Sequence, residues 1–296
     1  MQPINLAEAI PALTNSSLNK KPDNPVLGCC IFCRAELRHG EYEVLGKMFY
    51  PLLSCKCETD ILAKQREEEE LKKDREERRR EILKSFSRHI INDSIRDAGF
   101  KNFLQRPGTE KVLEKSKEFY REFKSRQLGL LFFGAAGNGK SHLARAIQRS
   151  IDSDGWATLY LDWPQLVEIA KATFNRSSYS TDGAQRASSI DGIVRAAINA
   201  DLIVLDEIGA GKLTDWEFKT LLFPIINGRQ GKKTIYTTNL DLDRLEQWFA
   251  WDKDNKPLDE DGRCIDRILG NCEVIKNNGT SKRREDAMNR MNGGNS

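Results

Sequence analysis

From Ile90 to about residue 280, short apolar runs alternate with segments whose apolar positions recur at helical spacing. Leu130 to Phe133 is an apolar strand, and Ser141 to Ile151 after it carries the period of a helix. Ala157 to Leu161 is again a strand, followed over Pro164 to Ala172 by a helix with its proline near the first turn. Leu202 to Leu205 has the unbroken apolar character of a strand buried on both faces. A helix is expected to start at Thr214, where Glu217 completes a T-x-x-E capping box, and Lys233 to Thr237 is a further strand. This alternation predicts an α/β fold: a doubly wound parallel sheet with helices on both faces.

Upstream the pattern changes. Between about Glu58 and Arg88 the chain is densely charged, with EEEE at 67–70 and RRR at 78–80, and has neither Gly nor Pro. Glu68/Lys72, Glu69/Lys73 and Glu76/Arg80 have the favourable Glu-first spacing, each pair worth roughly 0.2–0.5 kcal/mol in a helix. Leu62, Leu71 and Leu83 are too far apart for a coiled-coil seam, so a solvated spacer helix is expected rather than a partner-binding coiled coil. Residues 1–25, with Pro3, Pro11, Pro22 and Pro25, read as loosely structured, and Leu6 to Ile10 as a short helical turn or docking peptide. The end, Asn289 to Ser296, is expected to fray.

Composition narrows the class. The 296 residues are 39% hydrophobic and 31% charged, which fits a soluble globular protein with solvated elements. A net charge of +3 leaves any nucleic-acid role to local patches. Lys171, Arg176, Lys212, Lys282 and Arg284 are candidates for DNA contacts, although such residues on a soluble domain are more often simply solvated. No apolar run is long enough to span a bilayer, and the first residues lack the order of a secretory signal, so a cytoplasmic location is expected.

Five of the seven cysteines, Cys29, Cys30, Cys33, Cys55 and Cys57, cluster near the N-terminus. Cys30-x₂-Cys33 and Cys55-x-Cys57 make two chelating pairs, with Cys29 an alternative to Cys30. Four thiolates suit a closed tetrahedral Zn²⁺ site, and a module over 26–57 is too short to be stable without such a staple. Unligated core cysteines, and disulfide or redox chemistry, are the competing readings.

The octet Gly134-Ala135-Ala136-Gly137-Asn138-Gly139-Lys140-Ser141 matches G-x-x-x-x-G-K-[ST] between a strand and a helix, the context that a phosphate-binding loop requires. Its glycines let the backbone N–H groups turn toward phosphates, Lys140 supplies charge and Ser141 a hydroxyl for Mg²⁺. Asp206 and Glu207 end a buried strand, the first placed to hold Mg²⁺ and the second to polarise an attacking water. Asn239, closing Thr237-Thr238-Asn239, offers an amide to orient that water. ATP and Mg²⁺ are the expected ligands.

AGFKNF at 98–103, the loop with its SHLARAI helix, VLDEIG at 204–209, TDWE at 214–217, IINGR at 225–229 and TTNL at 237–240 occur in that order. With them, residues 95–285 resemble the AAA+ ATPases of the DnaC/DnaI type, the replicative-helicase loaders, and the related IstB-type transposition helpers. The resemblance implies ATP bound between neighbouring subunits of a spiral or ring. It makes Arg267 of Asp266-Arg267-Ile268 the arginine that reaches the next subunit's γ-phosphate. It makes Arg283 of Ser281-Lys282-Arg283 the nucleotide sensor, with Arg263 and Arg284 leaving the register open. Ala135, Ala136 and Asn138 stand where many relatives have prolines and a threonine, and none is expected to be an indispensable ligand.

DnaI-type loaders also carry an N-terminal zinc-bearing domain that docks on the helicase. The implied organisation is a zinc-binding helicase-docking module at 1–57, a charged helical linker at 58–90, an AAA+ ATPase domain at 91–285 and a flexible tail at 286–296. The implied function is ATP-dependent loading of a DnaB-type hexameric helicase onto single-stranded DNA. An IstB-like ATPase assisting a transposase on duplex DNA, and a non-catalytic nucleotide-switched zinc adaptor, are the alternatives.

Overall fold

The structure is a computed structural model that describes residues 3–4, 21, 26–30, 33–53, 55–85, 89–177 and 190–293. They belong to two compact units, Met1–Asp74 and Arg75–Ser296. The helical turn expected at Leu6 to Ile10 lies outside the described residues.

In the first unit β1 (Pro3–Ile4) pairs parallel with β2 (Val26–Cys30), and β2 pairs antiparallel with β3 (Glu36–His39). β4 (Tyr42–Val44) and β5 (Lys47–Phe49) form a separate hairpin, after which β6 (Leu52–Leu53) returns beside β3. Among the described residues the interior is very small: Cys30 and Leu37 are buried, with Cys55 and Cys57 packed on them.

α1 (Lys56–Ser85) forms where the Gly- and Pro-free charged run predicts it, with Glu76 and Arg80 3.8 Å apart. It begins in the first unit and ends in the second, and only its earlier part is a solvated spacer. From Arg75 onward it is anchored. The Arg75 guanidinium lies 4.7 Å from the Trp156 ring centre, Arg78 meets Asp201 at 2.9 Å, Arg79 meets Asp152 at 3.2 Å, and Ile82 is buried. Wide leucine spacing excluded a coiled coil but did not reveal that a single isoleucine could dock the helix.

The second unit is built on a five-stranded parallel sheet. After α2 (Glu110–Arg121) come β7 (Gly129–Gly134), α3 (Lys140–Ser153), β8 (Thr158–Asp162), α4 (Trp163–Ser177), α5 (Ile190–Asn199) and β9 (Leu202–Asp206). α6 (Asp215–Glu217) passes through a π-turn, Phe218–Leu222, into α7 (Phe223–Gly228). Pro224 explains the wide turn, because its ring has no N–H and crowds the carbonyl four residues earlier. The predicted capping box is present: Glu217 N–H donates to Thr214 Oγ1 at 3.2 Å, and Thr214 N–H to Glu217 Oε2 at 3.0 Å. β10 (Thr234–Thr238), α8 (Leu242–Ala250), α9 (Arg263–Asn271), β11 (Cys272–Asn277) and α10 (Lys282–Gly293) complete the unit. α10 continues through Gly293, so the segment expected to be a flexible tail is helical over most of its length.

The strand order is β11-β7-β10-β9-β8, all pairs parallel, the α/β parallel sheet that the alternation of apolar runs predicts. Alternation along each strand divides the interior in two. Leu130, Phe132, Tyr160, Val204 and Ile235 face α2 and α3, whereas Leu131, Leu161, Leu205 and Tyr236 face the layer that contains α4, α5 and α9. β11 escaped the sequence reading because Glu273, Lys276 and Asn277 interrupt its apolar residues. On this edge strand Glu273 meets Lys115 at 3.0 Å and Arg126, Asn277 donates to Asn138 O, and Lys276 is exposed. No described helix is long and apolar enough to cross a membrane.

Candidate nucleotide site and cysteine cluster

β7 ends at Gly134 and α3 starts at Lys140, so the predicted loop is the link between them. Gly134, Gly137 and Gly139 have φ of 137°, 77° and 99°, in the left-handed region where a side chain strains the backbone. Each also admits a neighbour. A Cβ at Gly134 would lie 2.4 Å from Asn277 O, one at Gly137 2.4 Å from Ser281 Oγ, and one at Gly139 2.8 Å from the Phe103 ring. Two distant segments, one at Phe103 and one over 277–281, therefore close on the loop.

Lys140 is buried and folded back. Its ammonium donates to Gly134 O at 2.9 Å, Ala135 O at 2.8 Å, Asn138 Oδ1 at 3.1 Å and Asn239 Oδ1 at 2.9 Å. Burial lowers its pKa to about 8, against the opposing pull of Asp206 and Glu207. An anion with several negative charges fits this cradle.

Asp206 is buried at the end of β9, accepting a hydrogen bond from Thr237 Oγ1. Burial raises its pKa, while hydrogen bonds from Thr237, Tyr160 and Ser141 and the charge of Lys140 pull the other way. The Ser141 hydroxyl and the Asp206 carboxylate thus adjoin, an oxygen pair that could hold Mg²⁺. Glu207 follows with φ of 60°, a strained value for a residue with a Cβ, and its N–H donates to Thr237 Oγ1 at 3.0 Å. Its carboxyl is raised first by burial and then by Asp206, with Arg283 and Lys140 opposing.

Arg283 reaches this neighbourhood because Lys282 N–H donates to Gly137 O at 3.1 Å, docking the start of α10 on the loop. Arg267 does not join it. Its guanidinium lies 5.0 Å from the Phe223 ring centre, beside Arg263 at 5.7 Å, and its Nη1 is buried without a hydrogen-bond partner among the described residues. Of the cations considered for DNA, Lys171 pairs with Glu217 at 2.6 Å, and Lys212, Lys282 and Arg284 are exposed. The Arg176 side chain lies outside the described residues.

The sequence reading missed several groups here. Asp162 ends β8 in register with Asp206, and its carboxylate accepts from Gln165 N–H at 3.1 Å. Burial, with Asp206 and Glu207 adding, raises its pKa to about 6. Its place at a strand end before a helix was the available signal. Phe103 packs edge-on against His142 at 5.3 Å, and Arg106 donates to Thr280 O at 2.7 Å. Asn138 is wholly buried in a reciprocal amide clasp. Its Nδ2 donates to Asn277 O at 2.9 Å, and Asn277 Nδ2 donates to Asn138 O at 3.1 Å. Asn138 was expected to be dispensable as a phosphate ligand, but it has this second role.

In the first unit the thiols of Cys30, Cys33, Cys55 and Cys57 lie within 4.8 Å of one another. Cys30 Sγ is 3.3 Å and Cys55 Sγ 3.0 Å from Cys57 Sγ. Four thiolates around zinc, with bonds of about 2.3 Å, would stand roughly 3.8 Å apart, so the cluster is of a size to hold that ion. Cys29, next along β2, is outside the group, which leaves Cys30 as the member. The Arg34 N–H to Cys30 O bond at 2.9 Å and the Cys30 N–H to Ala35 O bond at 2.8 Å close the turn that brings Cys33 round.

The replicative helicase loader DnaC of Escherichia coli (strain K12) is 26% identical over 192 residues, covering 63% of this chain and 74% of that protein. Its counterpart from Buchnera aphidicola subsp. Baizongia pistaciae (strain Bp) is 28% identical over 199 residues, covering 66% and 73%. A crystal structure of the DnaC helicase loader matches 62% of this chain and 99% of its own, at 21% identity and a TM-score of 0.49. The family described as IstB-like ATP binding protein matches residues 59–289, a span that holds the whole nucleotide site, and the chain belongs to that family.

Proposed function

We propose that the chain is an ATPase that loads a DnaB-type hexameric helicase onto single-stranded DNA, using ATP and Mg²⁺. The observation that carries the ATPase part is the convergence of Lys140, Asn239, Asp206 and Glu207 at the C-terminal ends of the inner strands. In this reading Gly134 to Ser141 wrap the phosphates, and Lys140 exchanges its carbonyl partners for phosphate oxygens. Ser141 and Asp206 would hold Mg²⁺, which would supply charge against the phosphates. Glu207 polarises water, Asn239 orients it, and Arg283 reads the nucleotide from the same subunit. Arg267, turned onto Phe223, serves the site of a neighbouring copy. The helicase part rests on the named DnaC relatives.

The reading assigns 1–57 to a helicase-docking module, 58–90 to a linker, 91–285 to the ATPase and 286–296 to a tail. Cys30, Cys33, Cys55 and Cys57 would bind Zn²⁺, which gives the first unit the centre that its small apolar interior lacks. A second reading, an IstB-like ATPase assisting a transposase on duplex DNA, is favoured by the family match alone.

The test is capture by the full chain, with ATP and Mg²⁺, of a hexameric replicative helicase or of a transposase. Helicase capture, with ATP turnover per subunit that falls on dilution, is the expected result. Transposase capture alone supports the second reading. Turnover that is unchanged on dilution below the assembly range refutes the assignment of Arg267 to a neighbouring site.

A further inference from the structure

The parallel sheet has two ends, and the nucleotide chemistry uses only the one where the strands finish. At the other end Asp201 precedes β9 and Lys232 and Lys233 precede β10, opening a cleft of about 840 Å³. Arg195 of α5 and Arg78 and Lys84 of α1 complete its cationic wall. Against these five cations stand two acids, Glu81 and Asp201, and Asp201 is already occupied by Arg78 at 2.9 Å and by Ala157 N–H at 2.9 Å. Five-residue strands put this cleft about 17 Å from the phosphate loop.

The floor is rigid. Arg229, wholly buried, donates to Ala197 O at 2.8 Å, Ala200 O at 2.8 Å, Thr234 Oγ1 at 2.8 Å and Lys233 O, tying together the turns that carry the lysines. Lys232 donates to Ile198 O at 2.8 Å, and its pKa is lowered first by burial and then by Arg229 and Arg78. Cations are thus held together without enough anions, and a bound polyanion relieves them.

A second cavity of about 330 Å³ continues the charge with Arg75, Arg121 and Lys124 against one acid, Asp154, now beside Trp156 and Tyr120. Lys233 bridges the two, its ammonium 4.7 Å from the centre of Phe123, which meets Trp156 edge-on at 5.2 Å. Cations that track a backbone, with aromatic rings beside them, suit a single-stranded nucleic acid better than an acidic peptide. We propose that this cleft, remote from the ATP site, binds the phosphate backbone of single-stranded DNA through Arg78, Lys84, Arg195, Lys232 and Lys233.

The proposal gives a location to the DNA partner of the proposed function and rests on that reading only there, since its test contains no helicase. A fluorescent oligo-dT is titrated with the full chain and with Lys84→Glu/Arg195→Glu, a pair on exposed positions, while a fluorescent ATP analogue reports the other site. The variant is expected to bind DNA at least tenfold more weakly, with ATP affinity within twofold. The slope of log affinity against log salt should fall by about 1.4, two contacts at about 0.7 each. DNA affinity within twofold of wild type overturns the cleft alone, and no oligo-dT binding by wild type overturns the cleft and the DNA partner together. Displacement by poly-glutamate as effective as by oligo-dT makes the cleft an acidic-protein site and overturns its assignment to DNA. If the variant melts below wild type, Lys84→Ala/Arg195→Ala is read by the same criteria for DNA and ATP affinity.

Discussion

Asn138→Ala separates the fold of the phosphate loop from its chemistry. Asn138 Nδ2 holds Asn277 O at 2.9 Å, and Asn138 Oδ1 is one of four acceptors around the Lys140 ammonium. Truncation leaves the Asn277 carbonyl buried without that donor, while Asn277 Nδ2 keeps its bond to the Asn138 backbone. A lost buried hydrogen bond that strands one partner costs about 1–3 kcal/mol. For a unit of this size each kcal/mol lowers the melting temperature by about 2–4 °C, so a fall of roughly 2–12 °C is expected without nucleotide. Lys140 retains Gly134, Ala135 and Asn239, so ATP affinity should weaken by only about fivefold, equivalent to about 1 kcal/mol of lost preorganisation. Thermal unfolding and titration with a fluorescent ATP analogue measure the two effects. Asn138→Asp sharpens the result, because it keeps an acceptor for Lys140 and removes the donor to Asn277 O. It should lose as much stability as Asn138→Ala. If both variants melt within about 1 °C of wild type, the clasp is not what holds the loop against β11.

Glu207→Gln should lower ATP turnover by about 10²–10⁴-fold while leaving ATP affinity nearly unchanged, and equal losses in both would make Glu207 a binding residue. Lys140, lowered from the ordinary 10.5 to about 8, loses its proton more readily in the fold, so its charge costs stability below pH 8 and that cost fades as pH rises toward 10.5. Phosphate needs the charged form, so ATP binding at pH 8 should take up roughly half a proton, which calorimetry in two buffers of different ionisation enthalpy detects. No uptake refutes the shift. Arg229→Ala should destabilise the second unit by at least about 3 kcal/mol in urea unfolding, and a loss below about 1 kcal/mol would show that water replaces the guanidinium among its carbonyl partners.

What was legible in the sequence is what is contiguous in it. The β7–loop–α3 unit, the acidic end of β9 and the Thr214 capping box each carry their pattern within a few residues, and each is found where it was expected. α1 was legible as a helix because its charges and its lack of Gly and Pro are local. Its anchoring was not, because Arg78 and Arg79 find Asp201 and Asp152 more than seventy positions away. Arg229 stood in the IINGR segment without a physical role until its burial beneath the turns at 197–200 and 233–234 became visible. The five cations of the cleft at the other end of the sheet lie on three separate segments, and a net charge of +3 gives no hint that they converge.

The same distinction explains why Arg283 could be named from sequence and Arg106 could not. Arg283 belongs to a short segment that the family resemblance marks, and its approach to Glu207 follows from one backbone bond, Lys282 N–H to Gly137 O. Arg106 has no motif of its own. It comes beside the loop because Gly139 lacks a Cβ where Phe103 approaches, and because Thr280 O offers a carbonyl to its guanidinium at 2.7 Å. The glycines of the octet therefore do two things at once. Their dihedral freedom shapes the phosphate cradle, and their missing side chains admit Phe103, Asn277 and Ser281 from opposite ends of the unit. An alanine at Gly137 would be strained at a φ of 77° and would meet the Ser281 hydroxyl at 2.4 Å, so the same glycine that shapes the loop also bears on how the start of α10 docks against it.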